Sequence, residues 1–181
     1  MMNSMSKTGG LAAVGQRIRG LRADRGMSLS GLASVAGIGK GTLSELEAGT
    51  RNPTLETLYA LAGPLRVPLA FLLGEVEGAV TSDDALTAHL LTVRHHDDGG
   101  TTEVYWLTMA SGGARVSPSH GTGVTEHLLV VRGVVEAGPA DAPVRLEAGS
   151  SHGWTGDLEH SYAAPDGALE AVLTIRTPAS A

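Results

Sequence analysis

The stretch MSLSGLASVAGIGKGTLSELEAGTRNP, Met27 to Pro53, constrains this chain more tightly than any other part of it. Ser28 stands before Leu29, Leu32, Ala33 and Ala36, apolar residues at helical spacing, and so reads as the N-cap of a short helix. Gly37 supplies the positive φ that a tight break after that helix needs, and Ile38 can bury itself against both neighbours. A second helix runs from about Lys40 to Ala48. Its Leu43 and Leu46 face inward, and Lys40, Gly41, Thr42, Ser44 and Glu45 are left outside. Gly49 ends it, Asn52-Pro53 turns the chain, and Thr54 caps the next helix. Two helices joined through a Gly-containing turn, the second with a small polar outer face, form the geometry that places a helix in the DNA major groove.

The flanks extend this helical unit. Leu11, Val14, Ile18 and Leu21 recur at helical spacing, with Arg17, Arg19, Arg22 and Arg25 between them. Leu55, Leu58, Tyr59, Ala60 and Ala62 outline a fourth helix, and Pro68 opens a fifth through Leu73. Tyr59 and Phe71 are expected in the core. Residues 1–10 are small and polar and read as a disordered arm.

Charge supports the division. The net charge of −6 argues by itself against nucleic acid. Residues 1–74, however, hold eight Lys/Arg against four Asp/Glu, net +4, and residues 75–181 hold five against fifteen, net −10. The basic charge sits with the helix pair, and the acidic remainder would repel phosphate. With no Cys, disulfides, thiolate zinc sites and Cys catalysis are excluded. No apolar run reaches the length of a membrane span, so a cytoplasmic protein is expected.

From about Val14 to Leu73 the chain resembles the helix-turn-helix of the XRE/Cro/C1-type repressors. The residues that carry the likeness are Arg17-Ile18-Arg19, Ser28-Leu29, Leu32-Ala33, Ala36-Gly37-Ile38, Gly41-Thr42-Leu43-Ser44, Leu46-Glu47, Gly49 and Asn52-Pro53-Thr54-Leu55. The resemblance implies a lambda repressor-like, all-α domain of five helices over 11–74. It implies that Lys40, Gly41, Ser44 and Glu45 meet base edges, that Thr42 and Arg51 hold phosphate, and that Arg17 and Ser28 lie at the backbone. Lys40 would donate to guanine and Glu45 would accept from cytosine, unless Glu45 instead orients Lys40 or an arginine. Leu29 stands where the family often has a phosphate-binding Gln, which leaves more of that work to helix-end N–H groups and Arg51. Such domains gain affinity as pairs on a two-fold site, so a homodimer on a palindromic operator of double-stranded DNA is expected, with no membrane partner.

Residues 75–84, rich in Gly, Glu, Ser and Asp, read as a linker. Beyond them come short strand-like runs: Leu86–Arg94, Glu103–Ala110, Glu126–Val135, Val144–Glu147, Ser151–Trp154 and Ala168–Arg176. Many short strands at close spacing make residues 85–178 an antiparallel sandwich or barrel. The whole is thus a multi-domain α + β chain.

Gly113, His120, Glu126-His127-Leu128-Leu129-Val130-Val131, Gly133, Leu146, Ala148-Gly149, His160 and Tyr162 resemble a cupin barrel, or jelly roll. Carried over by position, the family's metal pattern falls on His120, Glu126 and His160, with Thr122 in place of its second His and His152 as a candidate replacement. Two imidazoles and a carboxylate can hold a divalent ion (Zn, Fe, Ni or Mn). The leading expectation is no cofactor, with these groups hydrogen-bonded inside a pocket for a small-molecule effector. Trp106, Leu128, Val130, Trp154 and Tyr162 would form its apolar wall, with His120, Glu126, His152 and His160 as polar groups. A transcriptional regulator with no catalytic residues follows, its barrel dimerising or sensing an effector. The alternative is a non-haem metal cupin enzyme (an oxygenase, epoxidase or isomerase) that keeps a helix-turn-helix.

Overall fold

The computed structural model describes residues 6–75 and 77–179, and side chains from residue 12 onward. The chain divides into two compact units, Met1–Gly74 and Glu75–Ala181. The first holds helices α1 (Ser6–Asp24), α2 (Leu29–Val35), α3 (Lys40–Glu47), α4 (Leu55–Ala62) and α5 (Leu69–Leu73). Half of the arm expected over 1–10 therefore belongs to α1, and residues 1–5 and the Leu11 side chain lie outside the description. No helix among the described residues is long and apolar enough to cross a membrane.

The local signals act as their chemistry requires. Ser28 Oγ accepts from the Gly31 N–H at 3.0 Å, and Thr54 Oγ1 accepts from the Thr57 N–H at 3.2 Å. Gly37 takes φ 66° in the turn, and the Ile38 N–H closes onto the Ala33 carbonyl at 3.0 Å. Val14, Ile18, Leu32, Leu43, Leu46, Leu58, Tyr59 and Leu72 converge in a buried core. Phe71 is a correction: at 39% exposure it stays on the surface while Leu69, Ala70 and Leu72 fill α5's buried side.

Two features fasten α1 to α3. Arg22 donates through Nε and Nη2 to both Glu47 carboxylate oxygens, at 2.6 and 2.8 Å. At Gly15 the helices touch backbone to backbone: a Cβ there would lie 2.1 Å from the Leu46 carbonyl oxygen.

The second unit holds β1 (Val80–Ser82), β2 (Leu86–His95), β3 (Thr101–Met109), β4 (Ala114–Ser117), β5 (Thr125–Arg132), β6 (Val134–Pro139), β7 (Val144–Glu147), β8 (Ser151–Thr155), β9 (His160–Ala163) and β10 (Leu169–Thr177). They pair antiparallel in two sheets, β1-β2-β3-β10-β5-β8 and β4-β9-β6-β7. The sheets fit a jelly roll and not a closed ring of strands. The expected linker 75–84 contains β1, and the expected run Glu126–Val135 is two strands broken at Gly133. That residue has φ 87°, and a Cβ on it would meet the Ala168 carbonyl oxygen at 2.4 Å, so only glycine fits.

Alternation sorts the strands into faces. Glu126, Leu128 and Val130 of β5 are buried, and Thr125, His127, Leu129 and Val131 are not. On β3 the buried set is Thr101, Glu103, Tyr105, Leu107 and Met109.

Candidate functional site

Helix α3 separates its two sides by burial. Leu43 and Leu46 are fully packed, Lys40, Gly41, Ser44 and Glu45 are exposed, and Thr42 is half-buried. Arg51, just beyond the helix, is exposed and pairs with Glu45, Nη1 to Oε2 at 3.2 Å. Glu45 is thus paired with an arginine. Ser28 uses its hydroxyl oxygen as the α2 cap. Arg17 donates through Nη1 to the Leu72 carbonyl at 2.8 Å, satisfying the C-terminal end of α5.

The second unit brings together three side chains from distant parts of the chain. His120 lies in the loop between β4 and β5, its N–H bonded to the Gly156 carbonyl at 2.7 Å. Glu126 comes from the inner side of β5 and His160 from β9. One potential ligand atom from each lies within 4.8 Å of the others. Glu126 Oε1 is 2.7 Å from His120 Nε2 and 3.2 Å from His160 Nε2, and Glu126 Oε2 accepts from the Tyr162 hydroxyl.

The donor arrangement bears on a cation. His160 Nδ1 lies 3.1 Å from the Leu158 carbonyl, an oxygen that can only accept, so Nδ1 carries the hydrogen. In neutral His160, Nε2 then presents a lone pair toward Glu126 Oε1 at 3.2 Å. Two acceptors in contact need a proton or a cation between them. Burial pushes the Glu126 carboxyl upward, but the bonds and charges of His120 and His160 outweigh it and hold it down to about 2. Burial lowers His120, and its contact with Glu126 does not offset this. His160 meets the same burial, yet Glu126 and the Leu158 carbonyl raise it above the ordinary imidazole value. A carboxylate ionised through the neutral range beside a neutral His120 fits a divalent ion, whose ligands must be deprotonated.

The remaining expected residues distribute as follows. Leu128 and Val130 are buried on the inner face of β5, and Trp154 and Tyr162 are buried against the triad, with ring centroids 6.1 and 5.8 Å from His160. The His152 ring is tilted against Trp154, centroids 5.9 Å apart, and is not in the triad. Thr122 is exposed. Trp106 is a correction. It lies opposite the buried parity of β3, in register with Val172, which is itself in register with Leu129 on the outer face. A shift of one residue reverses a side chain's face, and Tyr105 takes the inner place.

Among the described residues, Tyr105, Glu103 and Arg115 are buried polar groups to which the sequence reading did not point. The Tyr105 hydroxyl donates to Glu103 at 3.3 Å, both on the inner face of β3. Arg115 is buried on β4, where it donates through Nε to Ser117 Oγ at 2.9 Å and through Nη1 to Asp83. The clue to Arg115 was its place in a short alternating run with Ser117. No sequence signal distinguished Glu103 from a solvated strand carboxylate.

Comparison with known proteins agrees with this architecture. The helix-turn-helix family HTH_3 matches residues 18–72. The HTH-type transcriptional regulator SutR of Escherichia coli (strain K12) is 30% identical over 148 residues, covering 80% of this chain and 83% of its own. The HTH-type transcriptional regulator DdrOP3 of Deinococcus deserti is 44% identical over 62 residues, 34% of this chain and 48% of that protein. A crystal structure of an HTH_3 family transcriptional regulator from Vibrio cholerae superposes with a TM-score of 0.82 at 22% identity, covering 96% of this chain and 99% of that one.

Proposed function

Because this chain belongs to the HTH-type transcriptional regulators, we propose that it reads a two-fold operator as a homodimer in the cytoplasm and that its second unit senses a small molecule. The observation that carries the DNA side is the clean division of α3. Its apolar edge is packed against α1 and α2, and Lys40, Gly41, Ser44 and Glu45 are exposed on the other edge. Lys40 suits guanine O6 or N7, and Arg51 and Thr42 suit phosphate. The exposed Glu45–Arg51 pair keeps the arginine beside the outer edge of α3.

The sensing side rests on His120, Glu126 and His160. These residues would hold the ion, and the ion would supply a Lewis-acidic position for an oxygen of the effector. Regulation then requires that the effector bind two arrangements of the dimer with different affinity.

Footprinting on promoter fragments at low and moderate salt tests the DNA reading. A two-fold protected site whose affinity falls steeply with salt supports it, and indifference to every fragment at low salt removes it. Metal analysis of protein purified without chelator tests the triad. A stoichiometric ion in a protein that ignores DNA would favour the enzyme reading of the same three residues.

A further inference from the structure

Trp154 belongs to the triad's surroundings in a way that filling space does not explain. It is adjacent to Glu126 in the β8–β5 register, and its ring lies 6.1 Å from His160 and 5.8 Å from Tyr162, centroid to centroid. The side chain is 7% exposed. Its indole N–H is fully buried and donates to no acceptor among the described residues. Indole nitrogen is a donor only, and a buried donor left unpaired carries the whole cost of its desolvation. Such a donor is open to an acceptor that enters the site.

Charge identifies what enters. A divalent ion held by one carboxylate and two imidazoles, neutral once they ligate, would retain one net positive charge. Arg115 is also buried on the inner side of β4, next to Tyr162 in register, with its charge matched by Asp83. Glu103 lies on the far side of Ile175 from Glu126, bonded to Tyr105. An anionic acceptor therefore completes the centre without placing it beside an unbalanced carboxylate. The neighbouring inner row is occupied by the buried Tyr105, Leu173 and Leu128, so the anion is short.

Resting on the metal-centred sensing role proposed above, we infer that the effector is a small carboxylate. One of its oxygens takes the open position at His120–Glu126–His160, and the other accepts the Trp154 indole hydrogen.

The test uses the full chain loaded with Zn²⁺. The protein has two tryptophans, so Trp106→Phe leaves Trp154 as the sole reporter, and Trp106 sits on the outer sheet face away from the centre. Emission is followed during titration with acetate, oxalate and succinate, with acetamide, chloride, phosphate and sulfate as controls at equal ionic strength. A saturable response to at least one carboxylate, and none to acetamide or chloride, is expected. Trp154→Phe should weaken that carboxylate's affinity in calorimetry by roughly five-fold or more. If that variant does not fold, ¹⁵N spectra of the native chain decide, since one indole N–H resonance should move downfield as the carboxylate saturates. Silence to all three carboxylates, a response to phosphate or sulfate alone, or unchanged affinity in folded Trp154→Phe overturns the inference. Zinc uptake is measured first. Zinc bound with no carboxylate response sinks this inference and spares the metal reading, whereas neither zinc nor carboxylate binding sinks both.

Discussion

Two glycines on α1 make a matched pair for the same substitution. Gly20 has nothing within 4 Å of where a Cβ would stand, whereas the Cβ of Gly15→Ala would lie 2.1 Å from the Leu46 carbonyl oxygen, 3.1 Å from the Leu46 carbonyl carbon and 3.3 Å from that of Glu47. These are backbone atoms of α3 and cannot rotate aside. Relieving the contact requires about 1 Å of added separation between helices, against the packing of Ile18, Leu43 and Leu46. Overpacking of this kind costs up to about 3 kcal/mol, and the better helix propensity of alanine returns just under about 1 kcal/mol, leaving a net loss of about 2 kcal/mol. For a unit of this size that lowers Tm by about 8–16 °C. Gly20→Ala keeps only the propensity gain and should raise Tm by about 4–8 °C. Every helix among the described residues belongs to the first unit, so ellipticity at 222 nm reports this transition. Operator affinity should fall for Gly15→Ala, because α3 is displaced, and stay constant for Gly20→Ala. A stable Gly15→Ala, matching Gly20→Ala in sign, would refute the close approach of α1 and α3 and the account of how α3 is held.

Further outcomes follow from the same geometry. Arg51→Ala should weaken binding to all DNA sequences and flatten the salt dependence by about one phosphate contact in gel-shift titrations. Glu45→Gln should change the preferred base at one operator position by about 1–3 kcal/mol, and its effect should not add to that of Arg51→Ala, since the two side chains are paired. Arg22→Met strands Glu47 in the α1–α3 contact and should cost somewhat less than about 3–5 kcal/mol, because Arg22 retains some exposure, while Arg22→Met with Glu47→Met should recover most of it in urea denaturation. Glu126 has a folded-state value of about 2 against an ordinary 4.5, so its contribution is complete above pH 4.5 and disappears as pH falls toward 2. Urea unfolding of metal-free protein, followed by tryptophan emission at pH 5 and pH 3, should show a loss of about 2 kcal/mol from this group, and Glu126→Gln should lack that leg of the pH profile.

What the sequence determined by itself was local. Ser28 and Thr54 as caps, Gly37 as the turn, and the division of Lys40, Ser44 and Glu45 from Leu43 and Leu46 all depend on residues a few positions apart. Their chemistry is complete within one turn of chain. The parity of Glu126, Leu128 and Val130 was legible for the same reason, since only one register buries that carboxylate with two aliphatics. On β3 both parities are apolar, with Val104 and Trp106 against Tyr105 and Leu107, and alternation could not choose between them. Tertiary structure decided that case by packing Tyr105 inward. It also drew Arg17 to the end of α5, brought α1 onto α3 at Gly15, and gathered His120, Glu126 and His160 from a loop and two different sheets. These outcomes depend on which distant backbones and side chains meet, and that is set by burying the two cores as wholes, not by any neighbouring residues along the chain.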